Sequence, residues 1–330
     1  MVVGSGIAGL ATAYELTRRG VDVLNVGDGR PGQSAGLGRI FRIAHRDPRL
    51  CALALESHAR WREWEQELGA GTLLGREGLA VASPGRAEAM RDARAPVGEL
   101  SRGELRERVP HLAPDHPWDG GILDPLAGSL RIERVLRALS DRVAGRRATV
   151  EAVEADGTVR SSVATHRPDV VVVCAGLGTK ALVEPLGLDL GVELTRHVRL
   201  TYAPSPPSAC LIAPECYALP LGTTGRWALG MRDADRPYES WNEDEAAAWT
   251  RAQHADWVPR VFPGLEPRGE IRCVSLHAAW LDGGDGFRAW RAGPVIALGA
   301  SNAMKFGPLL GDRLARTALQ DDGVHPDLAG

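Results

Sequence analysis

The sequence lacks the features that mark several large classes of protein. Its five cysteines are odd in number, widely spaced and free of any Cys-x-x-Cys pair, so neither a disulfide framework nor a zinc site is expected. The longest apolar run, residues 170–175, is far shorter than the roughly 20 residues that span a bilayer, and no signal peptide is visible. A net charge of -3, with arginine and glutamate interspersed, offers no basic surface for nucleic acid. We therefore expect a cytoplasmic protein without membrane or nucleic-acid partners.

A glycine-rich turn, Gly4-Ser5-Gly6-Ile7-Ala8-Gly9, separates a short apolar strand from a segment with helical spacing. In a dinucleotide-binding turn, such glycines allow a tight turn, close approach of the backbone to a pyrophosphate, and packing of the helix on the strand. Gly20 ends the helical segment, and a second apolar strand follows over residues 21–26. This order of strand, turn, helix and strand predicts a nucleotide site.

Two features of this segment depart from the usual pattern. Only three residues precede Gly4, so Met1 need not be the natural N-terminus. The acidic residue expected at the end of the second strand, where it would hold a ribose hydroxyl, is replaced by Gly27, and Asp28 follows one position late. Either Asp28 reaches the ribose from a shifted turn, or the adenosine end is held loosely.

The rest of the chain alternates between two kinds of pattern, and a length of 330 residues favours two domains. A glycine-rich stretch over residues 29–38, which includes Pro31, predicts an irregular loop near the cofactor. Residues 169–174 predict a buried parallel strand that runs into a small-residue turn at Ala175-Gly176-Leu177-Gly178. Alternation over residues 191–231 predicts an antiparallel sheet. Helices are expected over residues 51–68, 131–143, 241–262 and 309–319, and a mostly helical insertion over residues 84–115.

In this order, several segments resemble the D-amino-acid-oxidase superfamily of FAD oxidoreductases, closest to its monomeric sarcosine oxidase and N-methyltryptophan oxidase branch. The segments are the Gly4 to Gly9 turn, Gly38-Arg39-Ile40-Phe41-Arg42, residues 171–178, Arg196-His197-Val198, and residues 300–307 with Met304-Lys305-Phe306. The resemblance covers nearly the whole chain and implies an α/β fold. Its glutathione-reductase-type FAD-binding Rossmann domain would be discontinuous, over residues 1–68, 129–186 and 284–330. The substrate domain, with a large mixed or antiparallel β-sheet, would comprise residues 69–128 and 187–283.

The resemblance also implies a reaction, the oxidation of a carbon–nitrogen bond in an amino acid or secondary amine that carries a carboxylate. Hydride transfer to flavin N5 would give an imine. Arg42 and Lys305 match the two cations that clamp the substrate carboxylate, which suits a bidentate guanidinium and an ammonium point charge. Arg39 matches the arginine packed against the flavin. The implied cofactor contacts are Gly4, Gly6, Ile7, Ala8, Gly9, Gly27, Asp28, Gly38, Arg39, Ala175, Gly176, Met304 and Lys305.

Other positions depart from the family pattern. Ala228 stands where the family has its oxygen-activating lysine, so we expect a dehydrogenase with another electron acceptor, or a slow oxidase. Arg232, four residues on, is a candidate substitute, and an exposed strand-end arginine is the equal alternative. Leu276 stands at the flavin-linking cysteine, so FAD is expected to be non-covalent. Cys273 is expected to be a buried thiol.

The predicted pocket has also lost polar groups, because Ala35 and Ala278 match a histidine and a tyrosine of the family. This favours a substrate other than sarcosine, bound to a monomer. Two alternatives stay open: a degenerate flavin- or ligand-binding protein without turnover, and an NAD(P)-dependent dehydrogenase that shares the first turn. The sequence assigns no general base. His197, His254 and His277 are candidates by residue type, although each is more often structural.

Overall fold

The computed structural model describes residues 1–29, 32–83, 85–204, 208–222, 224–232, 235–281 and 284–329. The α-helices of these residues are α1 (Ile7–Arg18), α2 (Pro48–Glu67), α3 (Ala87–Asp92), α4 (Arg102–Arg108), α5 (Ile132–Ser140), α6 (Thr179–Val183), α7 (Glu243–Val261) and α8 (Gly307–Ala318). Short 3-10 turns lie at Gly176–Gly178, Glu184–Leu186, Ala303–Phe306 and Pro326–Leu328. No helix in this described part is long and apolar enough to cross a membrane.

A six-stranded sheet carries the glycine-rich first turn. Its strands are β1 (Val2–Val3), β2 (Asn25–Gly27), β8 (Gly145–Arg147), β12 (Val171–Val173), β19 (Gly286–Ala292) and β20 (Val295–Ser301), in the order β19-β20-β12-β1-β2-β8. All neighbours pair in parallel except β19, which pairs antiparallel with β20 at the edge. The carboxyl ends of β1, β12 and β20 therefore meet at one edge, where ligands bind in open α/β sheets.

A second, nine-stranded sheet is mostly antiparallel. It contains β4 (Leu79–Val81), β5 (Gly98–Ser101), β6 (Gly120–Asp124), β13 (Val192–Ala203), β14 (Cys210–Ile212), β15 (Cys216–Pro220), β16 (Trp227–Met231), β17 (Arg236–Pro237) and β18 (Glu266–Ala278). The long strands β13 and β18 pair over most of their length. Smaller sheets join β3 (Arg39–Phe41) to β7 (Gly128–Leu130), and β9 (Val150–Val153), β10 (Val159–Ser161) and β11 (Thr165–His166) to one another.

The two faces of the nine-stranded sheet have different partners because side chains alternate along each strand. Val198 and Trp227 belong to an apolar cluster that includes buried residues of α7. On the opposite face, Leu219 and Ala228 belong to the same cluster as the core around α1 and α8. This second face therefore turns towards the six-stranded sheet, and any site between the two sheets is lined by it.

The predicted helices over residues 51–68, 131–143, 241–262 and 309–319 are confirmed, with ends shifted by a few residues. Side-chain caps explain two of the shifts. Asp47 accepts a hydrogen bond from the Arg49 amide at the start of α2, and Asn242 forms a capping box with Glu245 at the start of α7. A cap of this kind contributes about 1 kcal/mol. The parallel strand before Ala175 and the antiparallel strands within residues 191–231 are also confirmed.

Two expectations about local structure were wrong, and one strand was missed. Residues 21–24 precede the second strand, which begins only at Asn25. The segment 84–115 is not mostly helical, because β5 lies between α3 and α4 and pairs with β6. Strand β19 was missed, since its pairing with β20 supplies an order that its mixed sequence does not show. Arg30 and Pro31 of the predicted loop lie outside the described residues. The domain limits stay a prediction.

Candidate active site

The first turn packs against the turn after β12. Gly4 has φ +112°, and a Cβ there would lie 2.2 Å from the carbonyl oxygen of Cys174. A Cβ on Gly9 would lie 2.0 Å from the carbonyl oxygen of Gly4. Any larger residue at either position would overlap the backbone, so both glycines are needed for the tight turn and for the seating of α1 on it.

The start of α1 offers backbone amides to an anion. Its N-cap is Gly6, which supplies no side-chain cap. The Ile7 amide donates to Ser34 Oγ at 3.0 Å, and a Cβ on Gly6 would lie 3.1 Å from the same oxygen. A twelve-residue helix without a side-chain cap leaves first-turn donors and a positive dipole end for phosphate. These residues fit the pyrophosphate of a dinucleotide.

The structure explains why glycine replaces an acidic residue at the ribose position. A Cβ on Gly27 would lie 2.6 Å from Ser5 Oγ and 2.8 Å from the Ser5 amide nitrogen. Asp28 is half-buried, and its carbonyl oxygen accepts from Arg147 Nε at 3.0 Å. Ser5 and Arg147 are therefore neighbours of this corner that the sequence did not indicate, because β8 is distant in the chain. Whether Asp28 reaches a ribose stays a prediction.

Arg42 and Lys305 meet on a single carboxylate, that of Asp285. Arg42 Nη2 donates to Asp285 Oδ2, and Lys305 Nζ lies 2.8 Å from Asp285 Oδ1. The Lys305 and Asp285 side chains are each 4% exposed. His45 Nδ1 lies 3.4 Å from Asp285 Oδ2. We call these four residues the Asp285 centre. The sequence predicted its two cations but missed Asp285, which lies immediately before the unpredicted strand β19.

Helix α2 holds the turn that carries Lys305. Ser57 Oγ and Trp61 Nε1 both donate to the Lys305 carbonyl oxygen, at 2.7 Å and 2.9 Å. Trp61 is fully buried in the core, and its bond to the Lys305 carbonyl oxygen also holds the site in place. Lys180 and Lys305 are the only lysines in the sequence. A lysine in a chain that otherwise uses arginine was therefore a signal for the site.

Burial and mutual charge shift the pKa values of three groups in the Asp285 centre. Burial acts to raise the pKa of Asp285, but Arg42 and Lys305 outweigh it and hold that pKa well below its usual range. Burial and the charge of Arg42 lower the pKa of Lys305 to about 8. Burial, with the charge of Lys305, lowers the pKa of His45 to about 3. Near neutral pH the centre therefore holds two cations, one anion and a neutral imidazole.

Further positive charge lies beside the Asp285 centre. Arg86 is buried, and its Nη1 donates to the Ala44 carbonyl oxygen at 2.7 Å. Burial and the charges of Arg42 and Arg232 lower the pKa of Arg86 to about 9. Arg232 is half-buried just after β16, and its charge reaches Arg86. This group of cations attracts an anionic molecule.

The Asp285 centre keeps one hydrogen-bond donor in reserve. Arg42 Nε is buried and has no hydrogen-bond partner among the described residues, and the same is true of His45 Nε2, which is the acceptor nitrogen of a neutral ring whose Nδ1 faces Asp285. An unpaired buried donor costs about 1–3 kcal/mol, which a ligand oxygen would recover. A carboxylate can thus bind to Arg42 Nε while Asp285 still bridges Arg42 and Lys305.

Arg39 ties together the loop that precedes β3. Its Nη2 donates to the carbonyl oxygens of Gln33 and Ala35, both at 2.9 Å. Burial and the charge of Arg199 lower the pKa of Arg39 to about 10. Arg199 is a buried cation on β13 that the sequence analysis missed. Gly38 lets this segment approach the nine-stranded sheet, because a Cβ there would lie 3.2 Å from Leu219 Cδ1.

The two positions discussed for flavin linkage lie in different surroundings. Leu276 is buried in an apolar cluster with Val3 and Val192. Cys273 is half-buried rather than buried, so that expectation was wrong. Among the described residues β18 pairs with β13 alone, and Cys273 borders a cavity of about 400 Å³ that is also lined by Ala35, Gly36 and Leu177. The five cysteines are free thiols, as expected.

Together, the dinucleotide turn at the edge of a parallel sheet and the buried cations facing it are the features of a nucleotide-dependent oxidoreductase. The chain belongs to the DAO family, described as FAD dependent oxidoreductase, whose model matches residues 1–317. Membership in this family sets aside the NAD(P)-dependent alternative and confirms the resemblance found in the sequence.

The chain is also similar in sequence to individual curated proteins. The chain is 27% identical over 216 residues to the peroxisomal sarcosine oxidase of Mus musculus, covering 59% of this chain and 55% of that protein. It is 27% identical over 219 residues to the monomeric sarcosine oxidase of Bacillus sp. (strain B-0618), covering 60% and 56%. The matched part thus spans little more than half the length of these curated relatives.

Solved structures show the same fold. NikD, an unusual amino acid oxidase essential for nikkomycin biosynthesis, superposes with a TM-score of 0.83 at 22% identity, covering 99% of this chain and 96% of NikD. L-proline dehydrogenase from P. horikoshii gives a TM-score of 0.82 at 14% identity, covering 98% and 94%. The predicted α/β fold with a large mixed sheet is therefore confirmed.

Carboxylate binding should weaken as pH rises through the pKa of Lys305. That pKa is about 8, so Lys305 is charged below this value and loses its charge above it. We expect the dissociation constant of benzoate to be flat between about pH 5 and pH 7, where benzoate is ionised and Lys305 is charged, and to rise by up to about tenfold per pH unit above about pH 8. Spectral titration of the bound flavin measures this constant.

The matched controls are the two lysine variants. Lys305→Met should bind benzoate weakly with no inflection near that pH, whereas Lys180→Met should behave as wild type. A wild-type constant that stays unchanged into strong alkali would show that Lys305 does not charge the site.

Proposed function

We propose that this chain uses FAD to oxidise a carbon–nitrogen bond in an amino acid or secondary amine that carries a carboxylate. One observation carries the proposal: Arg42 and Lys305 share the buried Asp285 while Arg42 Nε remains available. A buried cationic centre with a spare donor is suited to an anion that arrives with its own lone pairs.

The residues that would hold FAD are those of the first turn and of the segments facing it. The amides at the start of α1 suit the pyrophosphate, and Arg39 with Gly38 lies between that turn and the nine-stranded sheet. Gly176 and the buried Met304 follow β12 and β20 at the same edge. Bound FAD supplies the hydride acceptor. We also propose a monomer that takes a small-molecule substrate.

The part of the protein in the reaction is to bind and orient the substrate. Arg42 Nε and Lys305 Nζ would hold the two carboxylate oxygens, and Asp285 keeps both cations in place. Removing one partner from a buried ion pair costs roughly 3–5 kcal/mol, so Asp285 stabilises the clamp even without substrate. Holding the carboxylate fixes the adjacent carbon relative to the cofactor, which lowers the barrier by orientation.

The electron acceptor is proposed to be oxygen used slowly, or another acceptor. Ala228 is fully buried on the sheet face that turns towards the Asp285 centre, and its methyl group brings no charge there. Arg232 follows the last residue of β16 directly. A cation beside the cofactor stabilises the first reduced form of oxygen, and at position 228 none is provided.

We further propose that the FAD is not covalently linked. Leu276 has no nucleophile and packs in the core. The nearest thiol along β18 is Cys273, which borders the cavity and lies 3.9 Å from Arg199 Nη2. Flavin that stays with the acid-precipitated protein would contradict this.

Amines with a carboxylate should reduce the flavin, and the same amines without it should not. Sarcosine with dimethylamine, and L-proline with pyrrolidine, form matched pairs that differ only in the carboxylate. We expect anaerobic mixing to bleach the visible flavin bands with at least one carboxylate-bearing amine, and not with its partner, because only the carboxylate engages Arg42 and Lys305.

Two lysine variants distinguish a loss of carboxylate binding from a general loss of folded protein. Lys305→Met should raise the apparent dissociation constant of the reducing amine by roughly 10- to 100-fold at unchanged flavin content, the cost of one charge-assisted hydrogen bond. Lys180→Met serves as the control. The contrary outcome is that no member of either pair bleaches the flavin, and that glycine and N-methyl-L-tryptophan do not bleach it either. This outcome would favour the degenerate binding protein.

Ala228→Lys should speed the reaction of the reduced flavin with oxygen, because it restores a cation on the face that turns towards the cofactor. Stopped-flow mixing of the photoreduced protein with oxygenated buffer measures this rate without any substrate. Ala228→Met, which has a similar length but no charge, controls for crowding at this buried position. Equal rates for the two variants would exclude charge at position 228 as the reason for slow oxidation.

A further inference from the structure

Three side chains form a hydrogen-bonded line on the nine-stranded sheet. Asp235 Oδ1 lies 2.8 Å from His197 Nδ1, and His197 Nε2 lies 2.5 Å from Tyr217 Oη. The His197 and Tyr217 rings are also stacked, with centroids 5.7 Å apart. We call Asp235, His197 and Tyr217 the relay. His197 was one of three candidate histidines in the sequence analysis, which did not indicate either partner.

The relay runs from solvent into the interior. The Asp235 side chain is 52% exposed, whereas that of His197 is 10% exposed. At the inner end, the Tyr217 ring covers Gly230, where a Cβ would lie 2.6 Å from Tyr217 Cζ. Gly230 lies two residues after Ala228 and on the same face of β16. Tyr217 therefore lies on the face that turns towards the Asp285 centre.

The charged groups around the relay come from several elements. Arg199 on β13, Cys273 on β18 and Arg39 beside β3 all act on the Tyr217 hydroxyl. Burial raises the pKa of Tyr217 to about 12, and the two arginines oppose that rise. The hydroxyl is therefore protonated near neutral pH and donates to His197 Nε2, which leaves the Nδ1 proton to be donated to Asp235.

The other two candidate histidines do not share this arrangement. His254 on α7 bonds Tyr202 Oη at 2.8 Å, and burial lowers its pKa to about 4, with a contribution from the charge of His197. His254 therefore lies on the side of the nine-stranded sheet that packs against α7. His277 is exposed on β18. Only His197 lies between an exposed carboxylate and a hydroxyl that faces the proposed site.

Amine oxidation creates a need for such a group. An amino acid reaches the site with a protonated nitrogen, and hydride can leave its carbon only when that nitrogen has a lone pair. One proton must therefore depart before the reaction, and the cations of the Asp285 centre cannot accept it. A general base that is linked to solvent meets this requirement.

We propose that Tyr217, His197 and Asp235 remove the proton of the substrate amine and pass it to solvent, an inference that rests on the proposed function. The nitrogen–hydrogen bond of the substrate breaks as its proton binds Tyr217 Oη, whose own proton moves to His197 Nε2. Asp235 stabilises the imidazolium until His197 releases its Nδ1 proton to water. One proton leaves, and no group in the relay changes its oxidation state.

The test compares two tyrosines that make the same bond on opposite faces of one sheet. Tyr217→Phe removes the relay hydroxyl, and Tyr202→Phe removes the hydroxyl that bonds His254. For the amine that reduces wild-type flavin, we measure the limiting rate of anaerobic reduction at saturating substrate from acid to alkaline pH. An indicator dye in weakly buffered solution counts the protons released on mixing.

We expect wild type to release about one proton per site before reduction. Tyr217→Phe should reduce roughly 100-fold more slowly near neutral pH and recover towards the wild-type rate where the amine is already neutral in solution. His197→Gln should share this profile, and Asp235→Asn should show it in weaker form. Tyr202→Phe should match wild type in rate, profile and proton release.

Two results would overturn the relay. A Tyr217→Phe variant with the wild-type pH profile and proton release would leave the relay without a role while the proposed function stood. Wild-type flavin that no amine reduces would remove the proposed function and the relay with it, so the two failures are told apart by the wild-type reaction alone.

Discussion

The ion pairs of Asp285 with Arg42 and Lys305 are the interaction on which the rest of the site depends. Arg42 follows β3, Asp285 precedes β19, and Lys305 follows β20. One buried carboxylate therefore joins segments from both ends of the chain. Without Asp285, two buried cations would repel each other and the lysine would lose its proton more readily. With it, the pair stays charged in an apolar setting and retains one donor for a ligand.

We propose different tasks for two polar systems of the protein. The Asp285 centre, with Arg86 and Arg232 beside it, is positive and suits the carboxylate of a substrate. The relay ends in a protonated hydroxyl and an exposed carboxylate, which suits the amine. One substrate that carries both groups would engage both systems, and the buried sheet face between them, at Ala228, brings no charge.

Much of this arrangement could be predicted from local sequence, because local patterns and family motifs report local geometry. The first turn, the strand before Ala175 and the pairing of Arg42 with Lys305 in one site belong to this group. Asp285 could not be predicted, because a single aspartate before an unrecognised strand shows no pattern. The pairing of β19 with β20 brings it close to Lys305. The relay could not be predicted, because it depends on the register of β13 and β15 across β16. The partial exposure of Cys273 could not be predicted either, because it depends on β18 lying at the edge of the sheet among the described residues.

The most direct test of the central claim is a crystal structure of the flavin-loaded protein with bound benzoate. Our account predicts the carboxylate within about 3 Å of Arg42 Nε and beside Lys305 Nζ, with Asp285 still bridging both cations. Benzoate bound instead in the cavity beside Cys273, against Arg196 or Arg272, with the Asp285 centre unchanged, would contradict it.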